Sequence, residues 1–360
     1  MSAVLDTLSS LLGGSAPAAV RVPGVEVSFG AGSADDWAAA LVSLSVEAGA
    51  APAVDAAEVV LAAGGRVQAA LGDTGSLKLG YGDGGTESVF AGEVYAVHRS
   101  LSGATRVAAA NGGAALASLR LNRSYEKRKA GEIVRDLASE LGVQTGSIEA
   151  GPKFPFYVVD DGRSGWTHIA DLAAKSGFVA RFDGDGKLAF GPPSEGQPAQ
   201  TFSYAQDVLA LDAAEASPAA GAVTVVGEGA AGTKGDDAWS WLVKDPSGVT
   251  GSAGSGDPAR LVRDRSLRNA DAASGAAQGL AAAATAGAAS ARLLVAGAPK
   301  ATVGSTVAVE GAPDDALNGT YIVRGVRHRY AKRGGFTSLL LLTRSGAGGG
   351  GAGSLLGGLL

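Results

Sequence analysis

Three kinds of feature in this 360-residue chain could do chemistry: three histidines, four pairs of adjacent aspartates and two glycine-rich loops. Histidines catalyse or hold a metal when two or three converge, commonly at i, i+4 on a helix. His98, His168 and His328 stand far apart in sequence. His98 and His328 end strand patterns and His168 lies on a helix face, so each reads as structural. Carboxylate pairs cleave glycosides when they face each other across a cleft and one has a raised pKa. Asp35-Asp36, Asp160-Asp161, Asp236-Asp237 and Asp314-Asp315 sit instead in turn-like contexts, where aspartate bonds its local backbone. The pattern G-x-G-x-x-G occurs at Gly80/Gly82/Gly85 and at Gly227/Gly229/Gly232. Both follow strand patterns and neither opens an amphipathic helix, so neither can seat a pyrophosphate on a helix N-terminus. The contexts of Ser164-Gly165 and Gly103-Ala104 do not form a G-x-S-x-G nucleophile elbow. Cysteine is absent, which removes disulfides, thiolate catalysis and thiolate metal sites. No catalytic, cofactor-binding or metal-ligating residue is assigned, and no cofactor is expected.

Two other clusters stand out. Arg120, Arg123, Lys127, Arg128 and Lys129 read either as a contact for an acidic partner or as a solvated helix entry. Trp239 and Trp241, two apart, share a face of any strand there, as a docking patch or as the local core of a loop. The net charge of −5, from 30 basic and 35 acidic residues, does not suggest general nucleic-acid binding. Charged residues make up 18% of the chain, below the usual ~25%. That fits either a surface covered by partners or the Ala/Gly drift of a GC-rich genome. The N-terminus lacks a basic region before its leucines, which argues against a secretory signal. No run of about 18 strongly apolar residues occurs, so no membrane insertion is expected.

The elements that would position these residues are mainly strands. Residues 1–19 read as a short amphipathic helix, with Val4, Leu5, Leu8, Leu11 and Leu12 on one face, and a linker. Residues 20–115 hold strand patterns at short spacing with Gly-rich turns, including 20–29, a run from Trp37 to Gly49, 76–98 around Asp83-Gly84, and 106–112; 54–63 read as a connection. Residues 116–200 change character. Ala130, Ile133, Val134, Leu137 and Leu141 fall on one helical face, closed by Gly142 and poorly capped by Lys127, Arg128 and Lys129. Trp166, Ile169, Ala170 and Ala173 mark a second helix, ended by Gly177, before a hairpin over 178–190. This is a small α/β unit. Residues 201–345 return to β patterns, with a Gly/Asp/Ser-rich excursion at 228–258 and an Ala-rich helix over 269–286 that Gly275 and Gly279 weaken. Leu317–Arg344 is a long hairpin that closes a sheet. Residues 346–360 are a Gly-rich tail bearing Leu355, Leu356, Leu359 and Leu360.

Four segments in this order resemble one family. Phe90-Ala91-Gly92-Glu93-Val94, the stretch Leu121–Val143, the stretch Asp160–Phe190 and the hairpin Leu317–Arg344 are similar to the phage late control gene D family of tail hubs, itself similar to the hub part of VgrG-type spikes. The resemblance spans roughly residues 20 to 345. It implies a mainly β fold with an α+β insertion: two hub-type β-barrels joined by a small α/β domain, three chains forming a pseudo-sixfold ring. It implies a structural baseplate or tail hub that adapts a hexameric tail tube to a trimeric spike, in a contractile tail or injection particle assembled in the bacterial cytoplasm. The implied partners are a homotrimer, the tail tube protein, a separate spike protein, other baseplate proteins, and a tape-measure protein or cargo. The competing readings are a cell-wall hydrolase at a tail tip and a free-standing carbohydrate-binding β protein.

Overall fold

The computed structural model describes residues 22–345 apart from 65–66, 82–84, 195 and 229–245. The expected N-terminal helix, the Leu-bearing tail and most of the excursion, with Trp239 and Trp241, lie outside the described residues.

The chain begins with β1 (Pro23–Phe29), α1 (Ala34–Ala40), β2 (Leu41–Gly49), β3 (Ala56–Leu61), β4 (Thr74–Tyr81), β5 (Thr86–Arg99), β6 (Thr105–Ala110) and α2 (Gly112–Ser118). An α/β stretch follows: β7 (Arg123–Lys129), α3 (Ala130–Ser139), β8 (Thr145–Ile148), β9 (Lys153–Val159), α4 (Gly165–Ser176), β10 (Val179–Phe182) and β11 (Leu188–Gly191). Then come β12 (Gln200–Ser203), β13 (Val208–Glu215), β14 (Ala222–Val226), β15 (Thr250–Gly254), β16 (Ala259–Arg263), α5 (Ala270–Ala286), β17 (Ala289–Val295), β18 (Thr306–Glu310), β19 (Gly319–Ala331) and β20 (Gly335–Arg344).

Twelve strands form one sheet, in the order β1-β4-β5-β6-β3-β2-β19-β20-β17-β13, with β18 beside β19 and β12 beside β18. The final hairpin therefore lies in the middle of the sheet and not at a closing edge. β19 changes partner along its length: Gly319 to Ile322 pair with β18, and Gly325 to Ala331 pair with β2. β20 runs along the opposite edge of β19 throughout, with a register shift between Val323 and Gly325. Burial follows the same division. Tyr330 and Phe336 join the core of the first strands, with Phe29, Trp37, Val46 and Leu77. Tyr321, Val323, Leu340 and Leu342 join the core of the later strands, with Phe202, Leu293 and Val307. The two expected barrels do not close among the described residues. The ladder has free ends at β1 and β13, and β2–β19 pairing joins its halves directly.

The third core belongs to the α/β unit. Ile133, Val134 and Leu137 of α3 and Trp166 and Ile169 of α4 are fully buried there, as the helical periodicity predicts; Leu141, expected on the same face, lies past the end of α3 and is exposed. Ser164 caps α4 by accepting from Thr167 N, and Gly177 ends it at φ +68, a left-handed value that only glycine adopts cheaply. The sheet β15-β14-β16 and helix α5 share this core. Gly279, which looks unfavourable inside a helix, sits where α5 crosses α4: an added Cβ would stand 2.6 Å from the Ala174 carbonyl oxygen.

Four stretches depart from expectation for local reasons. Trp37 to Ala40, expected to begin a strand, belong instead to the helix Ala34–Ala40, because Ser33 accepts from Asp36 N and starts the turn. Residues 54–63 contain β3, a central strand between β2 and β6. Its small residues disguise the alternation. Asn111 caps a helix, α2, at the end of a predicted strand. The basic run Arg123–Lys129 is strand β7, not the entry turn of a helix, but its last residue, Lys129, is the N-cap of α3 and makes no side-chain cap bond, the poor capping expected from the sequence. Glu132, in the first turn at N3, reaches back and accepts from Lys129 N at 2.9 Å.

Candidate functional site

The residues that join these layers converge at two places. The first is the junction of the first strands with the α/β unit. The β2–β3 connection is pinned from both sides: Ala51 N donates to Ala180 O at 2.8 Å, and Trp166 Nε1 donates to Ala53 O at 2.9 Å. Asp55 anchors the connection from within. Its carboxylate accepts from Gly49 N at 2.9 Å and from Asn111 Nδ2 at 2.8 Å, and Asn111 Oδ1 in turn accepts from Gly113 N to start α2. Burial disfavours the charged form of Asp55 and pushes its pKa up to about 7, against the lowering effect of its two donors. The β10–β11 turn rests on β5, where Ser88 Oγ donates to Gly184 O at 2.8 Å. Gly184 admits no side chain, since a Cβ would meet the Ser88 carbonyl oxygen at 1.9 Å.

A small cavity lies between these groups and the later strands, lined by Asp55, Asn111, Asp183, Thr302 and His328. His328 is buried on β19, and its Nδ1 lies 2.8 Å from Ser338 Oγ, which itself accepts from Ala298 N at 2.8 Å. Burial drives its pKa down to about 4, so the ring is neutral at physiological pH.

The second place is a buried charge network. Lys175, at the end of α4, has its Nζ 2.7 Å from Asp171 Oδ2, 2.8 Å from Asp264 Oδ2 and 2.9 Å from Ser266 Oγ. Asp264 follows β16, 89 residues further along the chain, since 264 minus 175 is 89. Tyr157 on β9 donates to Asp171 at 3.0 Å, and the Lys175 ammonium lies 5.3 Å from the centre of its ring. Burial opposes ionisation of Asp264, but Lys175 and Ser266 outweigh it and hold the carboxyl below its ordinary range. Burial, then the nearby Asp171 carboxylate, keeps the Tyr157 hydroxyl protonated. His168 borders this network, with Nε2 3.1 Å from Asp160 O and Arg163 3.2 Å from its Nδ1. Burial lowers its pKa.

The sequence-level candidates thus scatter. His168 and His328 are both buried, in different cores, and His98 lies exposed on β5. Asp35 and Asp36 open α1, and Asp314 caps a short 3-10 turn by accepting from Ala316 N. Asp160 belongs to the His168 surroundings, and Asp236-Asp237 lie outside the described residues. Among the described residues no three His, Cys, Asp or Glu side chains form a metal-holding group. Arg123 of the basic run is used internally, on Asp136 at 2.6 Å and Glu140 at 2.9 Å. Lys127, Arg128 and Lys129 are exposed. Asp55, Lys175 and Asp264 were not singled out by sequence reasoning. An isolated Asp after Pro52-Ala53-Val54, or a Lys inside a helix, carries no local signal. What both places do physically is fix three layers relative to one another.

The family model of the Alg8 N-terminal domain matches residues 70–332. The chain belongs to this family. No curated protein matches it in sequence. Solved structures do match in fold. A 43 kDa tail protein of prophage MuSo2 from Shewanella oneidensis superposes with a TM-score of 0.66 at 12% identity, covering 89% of this chain and 98% of that one. A tail protein from Neisseria meningitidis MC58 gives 0.65 at 13% identity, covering 91% and 98%. An Escherichia coli type VI secretion component, described as structurally similar to the T4 bacteriophage tail proteins gp27 and gp5, gives 0.56 at 12% identity, covering 89% and 76%. The fold of this chain is that of phage tail proteins. No helix among the described residues is long and apolar enough to cross a membrane.

Proposed function

We propose that this chain is a structural tail hub that adapts a hexameric tail tube to a trimeric spike, with three copies forming a ring. The observation that carries this reading is the twelve-stranded sheet, in which one hairpin, β19–β20, serves two cores and joins two β regions edge to edge. Two such regions per chain offer six near-equivalent surfaces in a trimer, the arithmetic needed to match sixfold to threefold symmetry. The tail-protein fold supports it, as does the resemblance to the late control gene D family. The tube protein, a separate spike protein, neighbouring baseplate proteins and a tape-measure protein or cargo are the partners of this reading. Its place is a tail or injection particle assembled in the bacterial cytoplasm.

Native mass spectrometry, alone and with tube and spike proteins, tests the assembly. A trimer is expected, with threefold density by electron microscopy. A chain that stays monomeric with both partners present overturns the reading. The role is non-enzymatic, so no clearing is expected in a peptidoglycan zymogram. If the family is glycosyltransferase-related, sugar transfer is the competing activity; turnover of nucleotide-sugar donors above a heat-denatured control would establish it.

A further inference from the structure

A groove of about 470 Å³ opens between the three-stranded sheet β10-β11-β8 and the chain that leaves β11. One face of that sheet gives Ala180, Phe182 and Leu188 to the core of the α/β unit. Arg181 alternates with them and points the other way, into the groove. Its guanidinium lies against the backbone of Gly304, where an added Cβ would stand 3.2 Å from Nη1 and 3.4 Å from Cζ. Gly304 is fixed in turn: it adopts φ +81, donates to Val323 O at 2.7 Å and accepts from Ser194 N at 2.9 Å. Arg181 is partly buried, yet among the described residues its side chain makes no hydrogen bond and no ion pair. The carboxylate that acts on it through space, Asp183, is not bonded to it and uses Oδ1 on the amides of Asp185 and Lys187. A guanidinium cannot escape burial by losing its proton. A partly buried cation without a partner is therefore a standing cost, and an anion entering the groove offsets it.

We infer that this groove receives the side-chain carboxylate of an acidic residue on another protein. Geometry, charge and shape carry the choice. The guanidinium fork matches the two oxygens of a carboxylate. Glu149 is exposed and lines the same groove, so one negative charge already stands near the one positive charge. That balance accepts a monoanion and repels a phosphate dianion. Ala189, Pro192 and Pro193 give an apolar wall for the aliphatic stem of the incoming side chain. The volume falls in the lower part of the range of binding pockets, enough for one side chain and its flanking backbone. The inference does not rest on the hub reading. A chain that stays monomeric would still bind such a carboxylate, and a trimer that ignores it would leave the hub reading intact.

The test uses the full chain and three probes at constant ionic strength: N-acetylglutamic acid α-amide, its neutral isostere N-acetylglutamine amide, and inorganic phosphate. The backbone amide resonances of Ser194 and Gly304 report binding. The glutamate probe is expected to shift them saturably in the millimolar range. The glutamine probe and phosphate should each bind about tenfold more weakly, the ratio that one charge-assisted hydrogen bond supplies. Arg181→Met should reduce glutamate binding to the level of the glutamine probe. Its urea midpoint should equal or exceed that of the wild type, because the variant removes a cation without a partner. Equal binding of the glutamate and glutamine probes overturns the inference, as does tighter binding of phosphate, unchanged binding in Arg181→Met, or the absence of a saturable shift. A lowered urea midpoint in Arg181→Met also overturns it, since the guanidinium would then be partnered within the fold.

Discussion

The seam between the two β regions and the attachment of the α/β unit are built in opposite ways. At the seam, β2, β19 and β20 share a continuous backbone ladder over apolar side chains, with Val46, Tyr330 and Phe336 in one core and Leu340 in the next. Charge appears only on its outside, as in the 2.7 Å pair of Arg327 with Glu47. The α/β unit is held by a few specific polar contacts: Ser88 to Gly184, Ala51 to Ala180, Trp166 to Ala53, and Lys175 to Asp264. A ladder spreads its stability over many bonds, so its weak point is packing. A set of discrete clamps concentrates it, so its weak points are single side chains.

The largest effect is expected where the seam is packed. Phe336 is 1% exposed and stacks on Tyr81 at 5.4 Å between ring centres. Phe336→Ala removes a ring from between two regions and should cost about 3–5 kcal/mol. Denaturant unfolding checks this. If the seam couples the halves, the midpoint falls and the transition stays single; a split transition would show that the halves unfold separately.

Next comes the cavity where seam and attachment meet, because its two buried titratable groups oppose each other. Asp55 has a folded pKa of about 7, above its ordinary 3.8. Its stabilising contribution is complete below the unfolded pKa and is lost as pH rises from about 4 through 7. His328 has a folded pKa of about 4, below 6.5. Its contribution is complete above pH 6.5 and is lost as pH falls through 4. The shifts correspond to about 4 kcal/mol for Asp55 and about 3 kcal/mol for His328, and their signs oppose across the same window. Wild-type stability should vary by less than about 1 kcal/mol between pH 4.5 and 7.5 from this pair. Asp55→Asn should leave stability rising with pH, and His328→Gln should leave it falling. Chemical denaturation at four pH values reads the slopes; parallel slopes in both variants would show that the two groups are not buried as described.

The charge clamp ranks third. Lys175→Met leaves Asp264 without its cation and Asp171 with only Arg163, 3.9 Å away, and should cost about 2 kcal/mol, less than for a fully buried pair because both carboxylates retain some exposure. Combining it with Asp264→Leu should recover about 1 kcal/mol in a double-mutant cycle. Additivity of the two substitutions would mean that the network is no clamp.

Sequence and structure agree where periodicity is strong. Ile133, Val134, Leu137, Trp166 and Ile169 face their core as the helical spacing requires, and the hairpin 317–344 pairs as read. They part where small residues blur the pattern. β3, Ala56-Ala57-Glu58-Val59-Val60-Leu61, is central in the sheet, yet its alanines give little alternation contrast. The capping of α1 by Ser33 and of α2 by Asn111 was visible in residue type and masked by the strand-like runs beside them. The position of β19 in mid-sheet is a property of long-range pairing with β2, 282 residues away by the register of His328 with Val46 (328 minus 46). No local pattern encodes that. The candidate sites were least legible of all, because Lys175 and Asp264 become meaningful only when α4 and the end of β16 are brought together.

The smallest expected effect concerns the basic run and separates its two uses. Arg123 bridges Asp136 and Glu140 at the protein surface, with all three side chains between 36% and 43% exposed. Solvent screening limits such a network, and Arg123→Ala should cost only about 0.5–1 kcal/mol, diminishing in salt. Lys127, Arg128 and Lys129 are exposed on the same strand, and reversing all three to Glu should change stability by less than about 0.5 kcal/mol. If that reversal nevertheless weakens capture of tube, spike or baseplate proteins in a salt-dependent way, the run is a contact for an acidic partner. If capture is unchanged, strand β7 is a solvated edge of the α/β unit, and only its Arg123 end contributes to the fold.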